Sequence, residues 1–144
     1  MIAQIEKDES PFRRQLLLLC YLSKLGEQMG NDASQQLVPA YVIEAMNYVN
    51  VNYQRKIVAS ELAWNLHIGR TTLMTAFKKY TGTTLNEYIT RVRLKNAIAE
   101  MRQGKKEQQV AEECGFTDLC NMIRCFKRYF KMTPKQYLAS LHRA

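Results

Sequence analysis

Phe77-Lys78-Lys79-Tyr80-Thr81-Gly82-Thr83-Thr84 matches Phe126-Lys127-Arg128-Tyr129-Phe130-Lys131-Met132-Thr133 at an offset of 49 residues. The match runs on in both directions. Leu73 pairs with Met122 and Tyr88 with Tyr137, while upstream Leu62-Ala63 pairs with Val110-Ala111 at an offset of 48. One residue has been gained in the intervening turn, so the chain carries one local unit twice, with turns of different length. In each copy a short helix with a small inward residue, Ala63 or Ala111, leads through a turn to a second helix. A small side chain lets two helices cross closely, as a helix-turn-helix requires. Gly115 suits the left-handed position after a helix, and Thr117 is read as the N-cap of the next. Downstream, Thr84-x-x-Glu87 and Thr133-x-x-Gln136 both have the capping-box pattern, in which two side chains satisfy orphan backbone N–H groups at a helix start.

Working outward, the chain reads as all-α, with no alternating strand pattern. Pro39 opens a helix on which Val42, Ile43, Met46, Val49 and Tyr53 recur at helical spacing. Further helices are predicted over 59–66, 70–80, 84–102, 107–114, 118–130 and 134–142. Ser10-Pro11 reads as an N-cap followed by proline at the first helical position, starting a helix that ends near Gly30. The polar stretch 30–38 is a linker. The domains expected are therefore 1–38, a helical segment and linker, and 39–144, the double helix-turn-helix.

The formal charge of +8 points to a polyanionic partner. It is unevenly placed: residues 1–40 hold four Lys/Arg against five Asp/Glu, and residues 41–144 hold seventeen against eight. The basic character belongs to the repeat. Cys20, Cys114, Cys120 and Cys125 form no Cys-x2-Cys pair and have no His at zinc spacing, so they read as reduced thiols of a cytoplasmic protein. The longest strongly apolar run, Leu16 to Leu22, is far below the roughly 18 residues of a membrane span. His67 and His142 lie far apart without ligand partners, and neither a metal nor a cofactor is expected.

The second helix of each unit keeps large residues inward: Leu73, Ala76, Phe77 and Tyr80 in one, Met122, Cys125, Phe126 and Tyr129 in the other. The opposite faces carry the candidate DNA contacts. These are Arg70, Thr71, Met74, Thr75 and Lys78 in the first unit, and Leu119, Cys120, Asn121, Arg124 and Arg128 in the second. Lys78, Lys79, Lys127 and Arg128 sit at equivalent positions beyond the reading faces and are assigned to phosphates, the alternative being an ordinary solvated face. Arg124, the long donor in mid-helix, is the leading base-contact candidate. Phe77, Phe126, Tyr88 and Tyr137 are core residues rather than stacking platforms.

At these positions the sequence resembles the AraC/XylS family of bacterial transcription regulators. The resemblance rests on Leu62-Ala63, Leu73-x3-Phe77-Lys78-Lys79 with Gly82, Tyr88-x4-Arg93-Leu94-x2-Ala97, Val110-Ala111-Glu112-Glu113-Cys114-Gly115-Phe116-Thr117-Asp118 and Phe126-Lys127-x6-Pro134-x2-Tyr137. It implies a seven-helix domain whose long central helix holds two recognition helices apart, each entering a major groove on one face of the duplex. The partners it implies are double-stranded DNA and RNA polymerase, and the role that of an activator. A central helix over 84–102 would be about 28 Å long at 1.5 Å per residue, compatible with grooves about 34 Å apart. The sequence departs from the family at His67, Gly69 and Lys131, where Gly, Ser and Gly are usual. A strained first turn is therefore expected, and Met74 with its flanking threonines shifts base reading toward thymine methyl contacts. The first forty residues resemble the helices that join a sensor or dimerisation domain to the DNA-binding part of longer relatives. Such a chain is either a fragment of a larger regulator or a short one. Residues 10–29, with leucines at 16, 17, 18, 19, 22 and 25, are expected to mediate self-association or docking on a sensor domain.

Two other classes of protein would leave different marks on the sequence. An enzyme would need a nucleophile-base pair, a phosphate-cradling glycine loop or a carboxylate constellation, and none is evident. A helical protein-interaction module that has lost DNA binding would keep the same shape. Salt separates it from a DNA-binding domain, since phosphate contacts weaken steeply with ionic strength and apolar contacts do not.

Overall fold

The computed structural model describes residues 37–143. The helix expected over 10–29 and most of the linker lie outside the described residues. From Ala40 onward the chain forms one compact unit. Its seven helices are α1 Ala40–Asn52, α2 Ala59–Asn65, α3 Arg70–Thr81, α4 Leu85–Arg102, α5 Glu107–Glu113, α6 Leu119–Phe130 and α7 Pro134–Arg143. No strand occurs among the described residues.

The long helix α4 serves two cores. Its N-terminal half buries Leu85, Tyr88, Ile89 and Val92, and its C-terminal half Leu94, Ala97, Ile98 and Met101. Around the first half stand α1 and α3; α2 packs on α3. The large side chains inside are Val42, Val49, Leu62, Leu73 and Phe77, all at most 2% exposed. Phe77 meets Tyr88 edge-on with ring centroids 5.4 Å apart, a geometry that sets the positive edge of one ring against the negative face of the other. The second core gathers Leu94, Ala97, Ile98, Met101, Val110, Ala111, Cys114, Phe116, Met122 and Phe126. Phe130 and Tyr137 close it from α6 and α7, with centroids 4.7 Å apart.

The duplication reaches the backbone hydrogen bonds. After α2, Ile68 N donates to Ala63 O at 3.1 Å, and after α5, Phe116 N donates to Ala111 O at 3.0 Å. Both capping boxes form: Thr84 N donates to Glu87 Oε2 at 3.0 Å and Glu87 N to Thr84 Oγ1 at 3.2 Å. Thr133 N donates to Gln136 Oε1 at 2.9 Å and Gln136 N to Thr133 Oγ1 at 3.3 Å. The backbone turns left-handed at His67, φ 56°, and Gly115, φ 81°, after the two first helices. It does so again at Gly82, φ 74°, and Lys131, φ 59°, after the two second helices. The strain expected in the first turn thus has a location, the non-glycine residue at His67.

Two local expectations change. The N-cap of α6 is Asp118, whose side chain accepts from Asn121 N, and not Thr117. Asp118 adopts the extended backbone of a cap, φ −163° and ψ 172°, which leaves Thr117 one residue too early to reach the orphan donors. Helix α1 begins at Ala40, so Pro39 precedes it rather than occupying its first turn. On α1 the residues fully inside are Val42, Ala45 and Val49, while Ile43 and Met46 are half-buried; Tyr53, also half-buried, lies in the turn after the helix.

Candidate nucleic-acid interface

Helices α3 and α6, the second helix of each unit, have twelve residues each. Each is anchored by its inward face: Leu73, Ala76 and Phe77 in α3, Met122 and Phe126 in α6. What remains outward is fixed by the helical repeat. On α3, Arg70, Thr71, Thr75, Lys78 and Lys79 are exposed and Met74 is half-buried. On α6, Cys120, Arg124, Lys127 and Arg128 are exposed and Asn121 is half-buried. Leu119 is placed differently from its companions, since it is half-buried and packs against the second core. At a helix start the inward direction depends on what lies beneath, and here an apolar side chain finds Met122 and its neighbours there.

The electrostatics of the two helices follow their termini. Lys78 and Lys79 lie in the last turn of α3, Lys127 and Arg128 in the last turn of α6. Cations there complement the partial negative charge of a helix C-terminus. The duplication persists in how these side chains rest: Lys79 Nζ lies 5.2 Å from the centre of the Tyr80 ring, and the Arg128 guanidinium 5.9 Å from that of Tyr129. Each aromatic ring therefore props a cation beside the outward face. Arg91 of α4 also lies over Tyr129, at 5.8 Å, so the central helix adds positive charge beside α6. The N-termini differ. Asp118 caps α6 with its carboxylate, whereas Gly69 offers α3 no side-chain cap.

Three cysteines are free thiols among the described residues. Burial pushes the Cys114 thiol up to about 11 and raises that of Cys125. Cys120 stands exposed on the outward face of α6.

The repeat offset also identifies residues that inspection of each helix alone passes over. Carried 49 positions on, Met74 falls on Ile123 and Thr75 on Arg124. Ile123 is half-buried, like Met74, and belongs beside the candidate contacts. Arg93 of α4 joins distant segments: its Nε donates to Tyr53 O at 2.8 Å and its Nη2 to Arg55 O at 2.9 Å.

Two helix pairs, each presenting the outward face of its second helix and both mounted on α4, define a double helix-turn-helix domain. Residues 62–140, more than half of the chain, match the family model described as a helix-turn-helix domain. The chain belongs to the AraC/XylS family of bacterial transcription regulators. Among curated relatives it is 26% identical over 112 residues to the transcriptional regulatory protein HptR of Staphylococcus aureus, covering 74% of this chain and 44% of that protein. The chain thus spans less than half the length of the curated relatives it matches. The C-terminal domain of AraT, a response regulator from Geobacillus stearothermophilus, shares the fold with a TM-score of 0.68 at 18% identity, covering 72% of this chain and 87% of that one. An AraC-type transcriptional regulator from Chromobacterium violaceum gives 0.63 at 25% identity, covering 67% and 87%. No described helix is long and apolar enough to cross a membrane.

Proposed function

We propose that the chain is a sequence-specific regulator of transcription that inserts α3 and α6 into successive major grooves of duplex DNA and acts as an activator in the cytoplasm, with RNA polymerase as its second partner. The observation that carries the DNA reading is the pair of equivalent outward faces, each ending in two basic residues, on helices held by one rigid element. In this reading Arg70, Thr71, Met74, Thr75, Cys120, Asn121 and Arg124 face base edges, and Lys78, Lys79, Lys127 and Arg128 bind phosphates. Leu119 supports the start of α6 from its seat on the core. Residues 1–38 are read as a dimerisation segment or the remnant of a link to a sensor domain.

Salt provides the test. Each phosphate neutralised contributes about −0.9 to the slope of log affinity against log salt concentration on duplex DNA. Replacing Lys78, Lys79, Lys127 and Arg128 together by Ala should flatten that slope by about 2 to 4 and weaken binding to all sequences alike. An unchanged slope with unchanged affinity sinks the phosphate role of these four residues, and absence of salt-dependent duplex binding by the parent chain favours the interaction-module alternative.

A further inference from the structure

The turn between α1 and α2 belongs by sequence to the first helix-turn-helix unit, yet it is seated on the second. Tyr53 is half-buried and packs against the second core. The carbonyls of Tyr53 and Arg55 accept both donors of Arg93, across 40 and 38 residues of chain. Opposite them lies Gly115. A Cβ there would come within 2.5 Å of Tyr53 O and 2.8 Å of Gln54 O, so the second unit's turn is in direct backbone contact with this segment. The segment is itself shaped locally: Arg55 N donates to Asn52 O at 3.0 Å, and the Arg55 side chain donates to Asn52 Oδ1.

Helices take a gentle curvature set by what they pack against, so a second tie between the two bodies defines their relation more closely than the joining helix alone. We infer that Arg93 is a positioning residue: by clamping the Tyr53–Arg55 turn against α4 and the second unit, it fixes the separation and relative rotation of α3 and α6, and so the spacing of half-sites the domain accepts. The inference rests on the two-groove reading for its consequence at DNA, but the clamp itself is a property of the free protein. Charge and geometry both suit the role. Guanidinium offers two donors in a fixed fork, which two carbonyls two residues apart can fill together. Burial lowers the Arg93 pKa.

The test uses the full chain with Cys20→Ser and nitroxide labels on Cys120 of α6 and on Thr75→Cys of α3. Cys114 is buried and should label slowly, and the half-buried Cys125 is replaced by Ala in every labelled chain. The Arg93-intact chain should give one narrow distance between labels, and Arg93→Met a broadened or shifted one with a cooperative melt retained. On DNA, adding one base pair between half-sites rotates one by about 35° and should cost the wild type about tenfold or more in affinity, against less than about threefold for Arg93→Met. An unchanged distance distribution in Arg93→Met, with the wild-type spacing preference, overturns the inference. If Arg93→Met does not melt cooperatively, Arg93→Gln, whose single amide nitrogen cannot reproduce the fork to two carbonyls, takes its place and the same unchanged result overturns the inference. Absence of any duplex binding by the wild type would remove the functional reading, while the label distances would still decide whether Arg93 holds the helices apart.

Discussion

A left-handed backbone position costs an L-residue about 1 to 2 kcal/mol, and the two copies of the repeat distribute that cost oppositely. The first copy has His67 and Gly82 at its two such positions, the second Gly115 and Lys131. The glycines are not alike, however, because a Cβ at Gly82 meets nothing within 4 Å and one at Gly115 meets two backbone carbonyls. Gly82→Ala should therefore cost about 1 to 2 kcal/mol, and Gly115→Ala roughly 1 to 3 kcal/mol more from the added overpacking. Denaturant unfolding of both variants measures the difference; equal losses would mean that the Tyr53 turn gives way without resistance. In the proposed reading, base recognition at the residue scale turns on Arg124. It is exposed, mid-helix, and takes the place that Thr75 has in the first copy. As a bidentate guanine contact its removal should cost about 1 to 3 kcal/mol at one base pair and relax specificity there. Binding measured across a panel of single-base variants checks this, and uniform weakening on every sequence would make Arg124 a phosphate ligand instead.

Among the elements, α4 has the heaviest duty, since its eighteen residues serve two cores and join the two helix-turn-helix units. Its start is secured by the Thr84–Glu87 box, and the hydrogen bond from the Thr84 backbone, with help from its hydroxyl and from Arg91 and Arg128, holds the Glu87 carboxyl below its ordinary range. A carboxyl so lowered stabilises the fold above that range, and its contribution disappears as pH falls through the lowered value. The equivalent box before α7 uses Gln136, which cannot titrate. Thr84→Ala should cost about 1 kcal/mol at neutral pH. Glu87→Gln should keep most of the cap, as Gln136 does, and flatten the loss of stability between neutral and acid pH. Melting temperatures of the two variants and the parent from pH 7 to pH 3 test this; an undiminished acid loss in Glu87→Gln would place it on other carboxylates. The elements were largely legible in the sequence because periodicity and caps are local, and the repeat let each copy check the other. What escaped was non-local. Thr117 and Asp118 are both good capping residues, and only the backbone path selects the second; Leu119 faces inward because of what lies under it. The grip of Arg93 on Tyr53 and Arg55 has no local signature, since no side-chain pattern encodes where a carbonyl 40 residues away will point. The outward faces were readable at Arg70, Thr71, Thr75, Cys120 and Arg124, and Ile123 would have followed from carrying the repeat register through.

For the molecule as a whole, the consequence of duplication within one chain is that symmetry is approximate in the backbone and absent in the reading surfaces. Two identical subunits related by a two-fold axis demand a palindrome, because each presents the same side chains in opposite directions. Here α3 presents threonines around a half-buried Met74, and α6 presents Cys120, Asn121 and Arg124. Methyl and hydroxyl groups favour thymine methyls and weakly specified positions, while a guanidinium in mid-helix favours guanine. The two half-sites should therefore differ in base and in sharpness, with the α6 half the more strictly defined. Under the proposed reading, the eighteen residues of α4, about 27 Å long at 1.5 Å per residue, are compatible with grooves one helical turn apart, about 34 Å on straight DNA. Selection from random duplexes should thus return non-palindromic sites with two blocks about 10 base pairs apart, and hydroxyl-radical cleavage should show protection in both blocks on one face with a single protein molecule bound. Protection confined to one groove, or strict two-fold symmetry among the selected sites, would show that one chain does not read both halves.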